Sequence, residues 1–162
     1  MCIRDRQVIG RCGAGKTRCI NHFLINDGWY LVDLPGYGYA RTSRRKQLEW
    51  NAFTKDYFLG RESLLTVLLL VDSSIAPQQI DVECAAWLSQ ADVPFAVVFT
   101  KADKRRKTGA GTAEENVHAF LGLLATSFAE LPPTFLTSAA EGAGGGAVLR
   151  HLSEVAQASG DE

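Results

Sequence analysis

The sequence has no apolar segment long enough to cross a bilayer and no marked excess of charge of either sign. Its longest apolar run covers residues 64–71, whereas a membrane helix needs about 20 residues. Seventeen basic and eighteen acidic side chains give a net charge of −1, so no overall field favours nucleic acid or an anionic membrane. These absences favour a globular protein without a membrane role, which we expect to be a monomer.

The sequence also lacks the cysteine and histidine spacings of metal sites and disulfide frameworks. The four cysteines form no C-x-x-C pair and the three histidines have no metal-ligand spacing, so we interpret the cysteines as reduced thiols. The opening residues, MCIRDRQ, lack the apolar stretch of a signal peptide. We interpret residues 1–14 as an irregular or artefactual start, residues 15–157 as one domain and residues 158–162 as a tail.

Apolar runs typical of buried parallel strands alternate with segments of helical periodicity. Strands are predicted over residues 64–71, 93–99 and 133–138, and helices over residues 44–59, 113–128 and 146–157. Thr112 and Glu115 form a T-x-x-E capping box at the start of the middle helix. This alternation predicts an α/β fold with a doubly wound, mostly parallel sheet, whose sites lie at the carboxyl ends of the strands.

A D-x-x-G motif, the segment DLPG, directly follows the apolar residues WYLV at positions 29–32. Asp33 can reach a magnesium ion, usually through water, and Leu34 and Pro35 lead to Gly36. The Gly36 amide can approach a γ-phosphate because glycine has no Cβ. Taken alone, the motif is more often a strand that ends in an ordinary turn.

Two further motifs could read a guanine base. In FTKAD, at 99–103, the Asp103 carboxylate can accept hydrogen bonds from guanine N1 and N2, and the Lys101 stem can lie across the base. Adenine offers no such pair of donors, so the unmet carboxylate penalises it. In LTSAA, at 136–140, backbone amides can donate to guanine O6. The remaining members of the predicted guanine site are Thr100, Thr137, Ser138 and Ala139. Three motifs at strand ends, in this order, predict a guanine-nucleotide-binding domain.

The segment GRCGAGKT, at 10–17, fits the phosphate loop G-x-x-x-x-G-K-[ST], but only residues 18–32 separate it from Asp33. A phosphate loop requires a helix that starts at its Lys-Thr pair. The segment that follows reads instead as a hairpin, because Asp-Gly lies between two apolar stretches, the first at residues 19–25. Two interpretations remain open: a phosphate loop with a very short helix, or a switch segment followed by a strand.

The segments GWYLVDLPGYGYA, FTKDYFLGRESL, VLLLVDSSIAPQQID and VFTKADK resemble the EngB-type GTPases of ribosome assembly, over about residues 15 to 155. The resemblance implies a P-loop GTPase fold (a G domain), GTP and GDP binding, slow hydrolysis and Mg²⁺ dependence. It also implies a role in large ribosomal subunit assembly, with the subunit or its rRNA as partner, and bacterial members are linked to cell division and septation. These segments are most similar to those of plant and algal members of the family. The expected compartment is therefore the cytoplasm or, for a plant or algal protein, the plastid stroma or mitochondrial matrix.

On this alignment GKTRCINHFLIN matches the switch I segment and second strand of the family, so Gly15, Lys16 and Thr17 are switch residues. The resemblance then gives Thr17 and Asp33 to magnesium, and Thr17 and Gly36 to the catalytic step. It implies that the first strand, central in the family's sheet, and the first helix are missing or damaged, with RQVIG at 6–10 filling part of the gap. Tyr37 stands where many GTPases place a water-orienting glutamine, which implies slow hydrolysis.

Three functions remain in view. The first is an active ribosome-assembly GTPase, the second an inactive or weakly binding G-domain fragment without a true phosphate loop, and the third an unrelated phosphate-loop ATPase or kinase. The basic runs at 41–46 and 104–107 fit either a solvated surface or contacts with rRNA phosphates.

Overall fold

The computed structural model describes residues 3–9, 20–34, 57–61, 63–104 and 111–159. The chain divides into two compact units, Met1–Thr54 and Lys55–Glu162. Each unit contributes one sheet of three strands, in the orders β1-β2-β3 and β4-β5-β6.

The first unit is an antiparallel sheet of β1 (Ile3–Ile9), β2 (Ile20–Ile25) and β3 (Trp29–Asp33). The predicted hairpin is confirmed, and its turn is closed by a 3.0 Å hydrogen bond from the Gly28 amide to the Ile25 carbonyl. Asn26 and Asp27, with φ of 51° and 54°, supply the two left-handed positions. Both residue types tolerate this conformation, and it matches the twist of a hairpin.

The first strand does not take the place that the resemblance suggested for residues 6–10. It pairs antiparallel with β2, and β3 lies on the other side of β2. This pairing satisfies the amide and carbonyl groups that β1 and β2 turn toward each other. Residues 6–9 therefore extend the hairpin and do not replace a central strand beside β3.

The second unit contains the parallel sheet that the sequence predicted, formed by β4 (Val67–Asp72), β5 (Phe95–Thr100) and β6 (Thr134–Leu136). The observed strands are shorter at their starts than the apolar runs. Pro94 and Pro133 immediately precede β5 and β6, and a proline has no amide to donate to a ladder. Their carbonyls accept from Val67 at 2.8 Å and Val97 at 2.9 Å, which begins the pairing.

Helices cover both faces of this sheet, so the predicted doubly wound α/β architecture is confirmed for the second unit. Three of the helices lie fully within the described residues, namely α1 (Gln79–Gln90), α2 (Ala113–Ala125) and α3 (Gly145–Ala158). Phe120 of α2 meets Phe99 at a ring distance of 5.5 Å, and His151 of α3 meets Phe135 at 5.2 Å. Phe135 pairs with Val98, the neighbour of Phe99, and successive strand residues point to opposite faces.

Helices α2 and α3 confirm two of the predicted helices. The capping box is present: the Glu115 amide donates to Thr112 Oγ1 at 3.2 Å, and the Thr112 amide donates to Glu115 Oε2 at 2.7 Å. Of the helix predicted over 44–59, residues 57–59 are helical and the rest lies outside the described residues. No helix within the described ranges has the length and apolar character needed to span a bilayer.

The core of the second unit centres on β5, where residues 96–99 are all buried. Leu69 and Val71 of β4 join them, as do Phe120 and Leu124 of α2. Cys84 of α1 is a free thiol, as predicted, and the other three cysteines lie outside the described residues. Burial on both faces makes β5 the central strand of this sheet.

A substitution at Gly144, which precedes α3, tests the close packing of the start of α3 against the end of β6. Its φ is 76°, and a Cβ placed there would lie 2.1 Å from the Leu136 carbonyl oxygen. We expect Gly144→Ala to lower the free energy of unfolding by about 1–3 kcal/mol or more, because backbone strain and the clash add together. Urea unfolding followed by circular dichroism measures the change.

Gly146→Ala is the matched control, because no atom lies within 4 Å of the Cβ it would add within α3. This substitution should leave stability unchanged or raise it by up to about 1 kcal/mol. Equal effects of the two substitutions would contradict the steric argument.

Candidate nucleotide site

The carboxyl ends of the parallel strands form one edge of the second unit, and the candidate site lies there. Asp72 ends β4 in register with Thr100, which ends β5, and Leu136 ends β6 beside Phe99. The segments that follow carry Ser73 and Ser74, then Lys101 to Asp103, then Thr137 to Ala139. The structure thus brings both predicted base-reading motifs to one edge.

Thr137 joins the segments that follow β5 and β6. Its amide and its Oγ1 both donate to the Phe99 carbonyl, at 2.7 and 2.9 Å. In return, the Ala102 amide donates to the Thr137 carbonyl at 3.1 Å. Three hydrogen bonds therefore hold the two predicted motifs in a fixed relation.

Ser138 and Asp103 meet directly at this edge. The fully buried Ser138 hydroxyl donates to Asp103 Oδ1 at 2.5 Å and accepts from the Glu141 amide at 3.1 Å. Among the described residues, no donor meets Asp103 Oδ2 and no acceptor meets the Ala139 amide. Within the described ranges, these two groups of the edge thus keep their hydrogen-bonding capacity.

Lys101 has a constrained backbone and a paired side chain. Its φ of 64° is uncommon for a residue other than glycine. Its ammonium forms a salt bridge with Asp72 Oδ2. The other oxygen, Asp72 Oδ1, accepts from the Ser74 amide at 3.0 Å and from its hydroxyl at 2.6 Å.

The environment of Asp72 keeps its carboxylate charged. Partial burial raises the pKa of Asp72, but the hydrogen bonds from Lys101 and Ser74 outweigh it and set the pKa below its usual value. The carboxylate is therefore ionised at neutral pH, and the salt bridge should weaken only in acid.

A buried chain of hydrogen bonds links β4, β5 and α2 beneath the site. The amide and hydroxyl of Ser73 donate to the Thr100 carbonyl at 3.0 and 2.7 Å, and Thr100 Oγ1 donates to the Val71 carbonyl at 3.2 Å. The buried Asn116 amide group donates to the Ser73 carbonyl at 2.9 Å. Thr100 thus serves as a structural anchor for the segment that carries Lys101.

The D-x-x-G motif lies in the first unit, where β3 ends. Asp33 is exposed and pairs across the hairpin with Asn21, whose Nδ2 donates to Asp33 Oδ2 at 3.1 Å. Leu34 follows the strand and is half-buried. The other predicted phosphate and switch residues, Gly15, Lys16, Thr17, Pro35 and Gly36, lie outside the described residues.

The strand β2 bears on the two interpretations of GRCGAGKT. Because β2 begins at Ile20, only residues 18 and 19 lie between Thr17 and the strand. The first turn of a helix alone fixes more residues than this. Residues 20–25 form a strand, as the second interpretation predicted, and the assignment of residues 10–17 stays a prediction.

Within the described residues, no three His, Cys, Asp or Glu side chains gather as a metal-binding group. Mg²⁺ commonly takes only one or two protein carboxylates, with phosphate and water oxygens as its other ligands. The exposed carboxylate of Asp33 is compatible with that donor set.

Comparison with known proteins identifies the family. A probable GTP-binding protein EngB from Bacteroides fragilis is 45% identical over 141 residues, which cover 87% of this chain and 69% of that protein. The chain belongs to the EngB family of GTP-binding proteins. A similar EngB protein from Flavobacterium johnsoniae is 40% identical over 144 residues, covering 88% of this chain and 67% of that protein. No protein-family model matches the chain.

The EngB relatives include a plant protein. GTP-binding protein At2g22870 of Arabidopsis thaliana is 49% identical over 141 residues, covering 87% of this chain and 47% of the plant protein. The chain thus spans about half the length of that relative. Membership of the EngB family confirms the resemblance and removes the alternative of an unrelated ATPase or kinase.

Sequence reasoning missed four residues at or beneath this edge of the EngB chain, namely Asp72, Ser73, Ser74 and Asn116. The segment Asp72–Ser74 had a usable pattern, because it follows an apolar strand in the same way as the other motifs. Asn116 had none, since one polar residue within an amphipathic helix indicates nothing about its partner.

Asn116 tests the buried chain of hydrogen bonds. We expect Asn116→Ala to lower the free energy of unfolding by about 1–3 kcal/mol, because the buried Ser73 carbonyl loses its donor. His118→Ala is the control, since His118 is exposed on the same helix. Urea denaturation of both variants measures the difference, and equal stabilities would contradict a structural role for the Asn116 bond.

Proposed function

We propose that this EngB-family chain binds guanine nucleotides, and that the carboxyl edge of β4, β5 and β6 holds the base. The hydrogen bond from Ser138 to Asp103 carries this proposal, because it joins the two base-reading motifs and orients the carboxylate. The Asp103 carboxylate is left to accept from the guanine N1 and N2 groups, because Oδ2 has no donor among the described residues and Oδ1 keeps a second lone pair. The Ala139 amide is left to donate to O6.

The same edge explains a preference over adenine. Adenine presents no pair of donors to Asp103, so its binding would leave a half-buried carboxylate oxygen unmet. Lys101 adds contact but little selectivity, because its stem lies across a base plane that all purines share. Thr100, Thr137 and Ser138 support these groups through their own hydrogen bonds.

For the phosphates we propose the switch interpretation, in which Gly15, Lys16 and Thr17 belong to switch I, and Asp33, Leu34, Pro35 and Gly36 to switch II. The start of β2 at Ile20 supports it. Thr17 and Asp33 would hold Mg²⁺, whose charge offsets that of the phosphate oxygens. The Asn21 bond occupies Asp33 Oδ2 and leaves Oδ1 for a magnesium-bound water.

We further propose that the longer protein hydrolyses GTP slowly and acts in assembly of the large ribosomal subunit, as the family resemblance implies. Thr17 and Gly36 would stand at the γ-phosphate, and Tyr37 would not orient water as glutamine does. The proposed partner is the large subunit or its rRNA, and a link to cell division belongs to the same proposal. The proposed state is a monomer in the cytoplasm or an organelle matrix.

A second candidate function is nucleotide binding without turnover. The short sequence separation between Thr17 and β2 favours it, because it supports the switch interpretation. Without a phosphate loop, the chain would lack the amides and the lysine charge that such a loop supplies to the phosphates. Titration of the purified chain with a fluorescent GDP analogue in Mg²⁺ buffer, with GTP and ATP as competitors, tests the guanine binding that both functions require. We expect guanine-selective binding, weaker than micromolar without a phosphate loop. Equal competition by ATP would contradict the base assignment.

Asp103→Asn gives the sharper test of base reading. The asparagine Nδ2 donates where the carboxylate accepts, so it suits the O2 carbonyl of xanthine and clashes with the guanine amino group. We expect roughly a tenfold or greater loss of GDP affinity, with a matching gain for xanthosine diphosphate.

Asp92→Asn is the control for the lost charge. Asp92 lies just before β5, at the opposite edge of the sheet, and asparagine tolerates its φ of 55°. Its affinity for both nucleotides should equal that of the unmodified chain. If Asp103→Asn lowered the affinity for GDP and for xanthosine diphosphate alike, the proposed contact would be refuted.

A further inference from the structure

We propose that Asp72 is a positioning residue for the nucleotide site, which holds the Lys101 side chain in place before the base arrives. The inference rests on the proposed function, because it assigns Lys101 to the base plane. Asp72 itself lies at the end of β4, outside the three motifs that read the nucleotide.

Both oxygens of Asp72 are used by the protein itself. Ser74 donates its amide and its hydroxyl to Oδ1, at 3.0 and 2.6 Å, and Lys101 pairs with Oδ2. Two donors from one residue fix the carboxylate plane, so the oxygen that faces Lys101 has a defined direction. Because both oxygens of Asp72 already have partners, a role as a metal ligand is disfavoured. We therefore assign Asp72 to the positioning of the Lys101 side chain.

The backbone of Lys101 is fixed independently of this salt bridge. Ser73 holds the Thr100 carbonyl on one side, and Thr137 holds the Ala102 amide on the other. The left-handed φ of 64° therefore sets the direction of the Lys101 Cα–Cβ bond. Asp72 then fixes the opposite end of the side chain, so the four-carbon stem is ordered at both ends.

Order at both ends matters for binding more than for stability. The side chains of Lys101 and Asp72 are 46% and 27% exposed, and exposed ion pairs contribute little to folding. A lysine stem that is already ordered loses less conformational entropy when a base packs against it. Removal of Asp72 should thus weaken nucleotide binding while the fold persists.

The test compares Asp72→Asn, Lys101→Met and the double variant with the unmodified chain and the Asp92→Asn control. Displacement of a fluorescent GDP analogue gives the Kd of GDP and of inosine diphosphate, and ¹⁵N–¹H spectra verify the fold. We expect Asp72→Asn to raise both Kd values by the same factor, roughly fivefold. The number of sites per chain should not change, and Asp72→Asn should add nothing in the Lys101→Met background.

Inosine diphosphate separates positioning of Lys101 from general damage to the loop. It lacks the guanine amino group that Asp103 reads but has the same base plane for Lys101. A larger loss for GDP than for inosine diphosphate would show that Asp103 had moved, and would overturn the inference. An unchanged or tighter Kd in Asp72→Asn would overturn it too. Failure of the unmodified chain to bind either nucleotide would instead overturn the proposed function, and this inference with it.

Discussion

The parallel pairing of β5 with both β4 and β6 is the constraint on which the second unit depends. Residues 96–99 of β5 are buried, and the ladders on either side fix where neighbouring strands end. Since parallel strands end at the same edge, polar segments that are distant in sequence meet there. The Phe99 and Thr100 carbonyls then accept hydrogen bonds from Thr137 and Ser73, which makes the strand end a fixed support for the residues of the proposed base site.

The two units rely on different kinds of pairing. In the first unit the connections are local, because the turn at Asn26 to Gly28 sets the register of the hairpin. In the second, a helix intervenes between neighbouring strands, and the proline carbonyls that precede β5 and β6 begin the ladders. The proposed base site therefore depends on long-range packing, whereas Asp33 and its partner Asn21 depend on a hairpin.

Much of this arrangement could be predicted from the sequence, because its elements have strong local patterns. Apolar runs predicted β4 and β5, Asp-Gly predicted the hairpin, and a capping box marked the start of α2. The starts of the strands were placed too early, for β5 and β6 because a proline immediately before each strand cannot donate to the ladder. The salt bridge between Asp72 and Lys101 could not be predicted, because it depends on the register of β4 against β5.

The buried bond from Asn116 to the Ser73 carbonyl has a consequence for how the site responds to its ligand. Through Ser73 and Thr100, helix α2 and the segment that carries Lys101 share one set of hydrogen bonds. Coupling of this kind is reciprocal, so a contact that stabilises helix α2 also stabilises the segment that carries Lys101, and the reverse holds too. A base bound by Lys101 and Asp103 would therefore reduce local unfolding of α2. A partner that displaced α2 would in turn lower the affinity for the base.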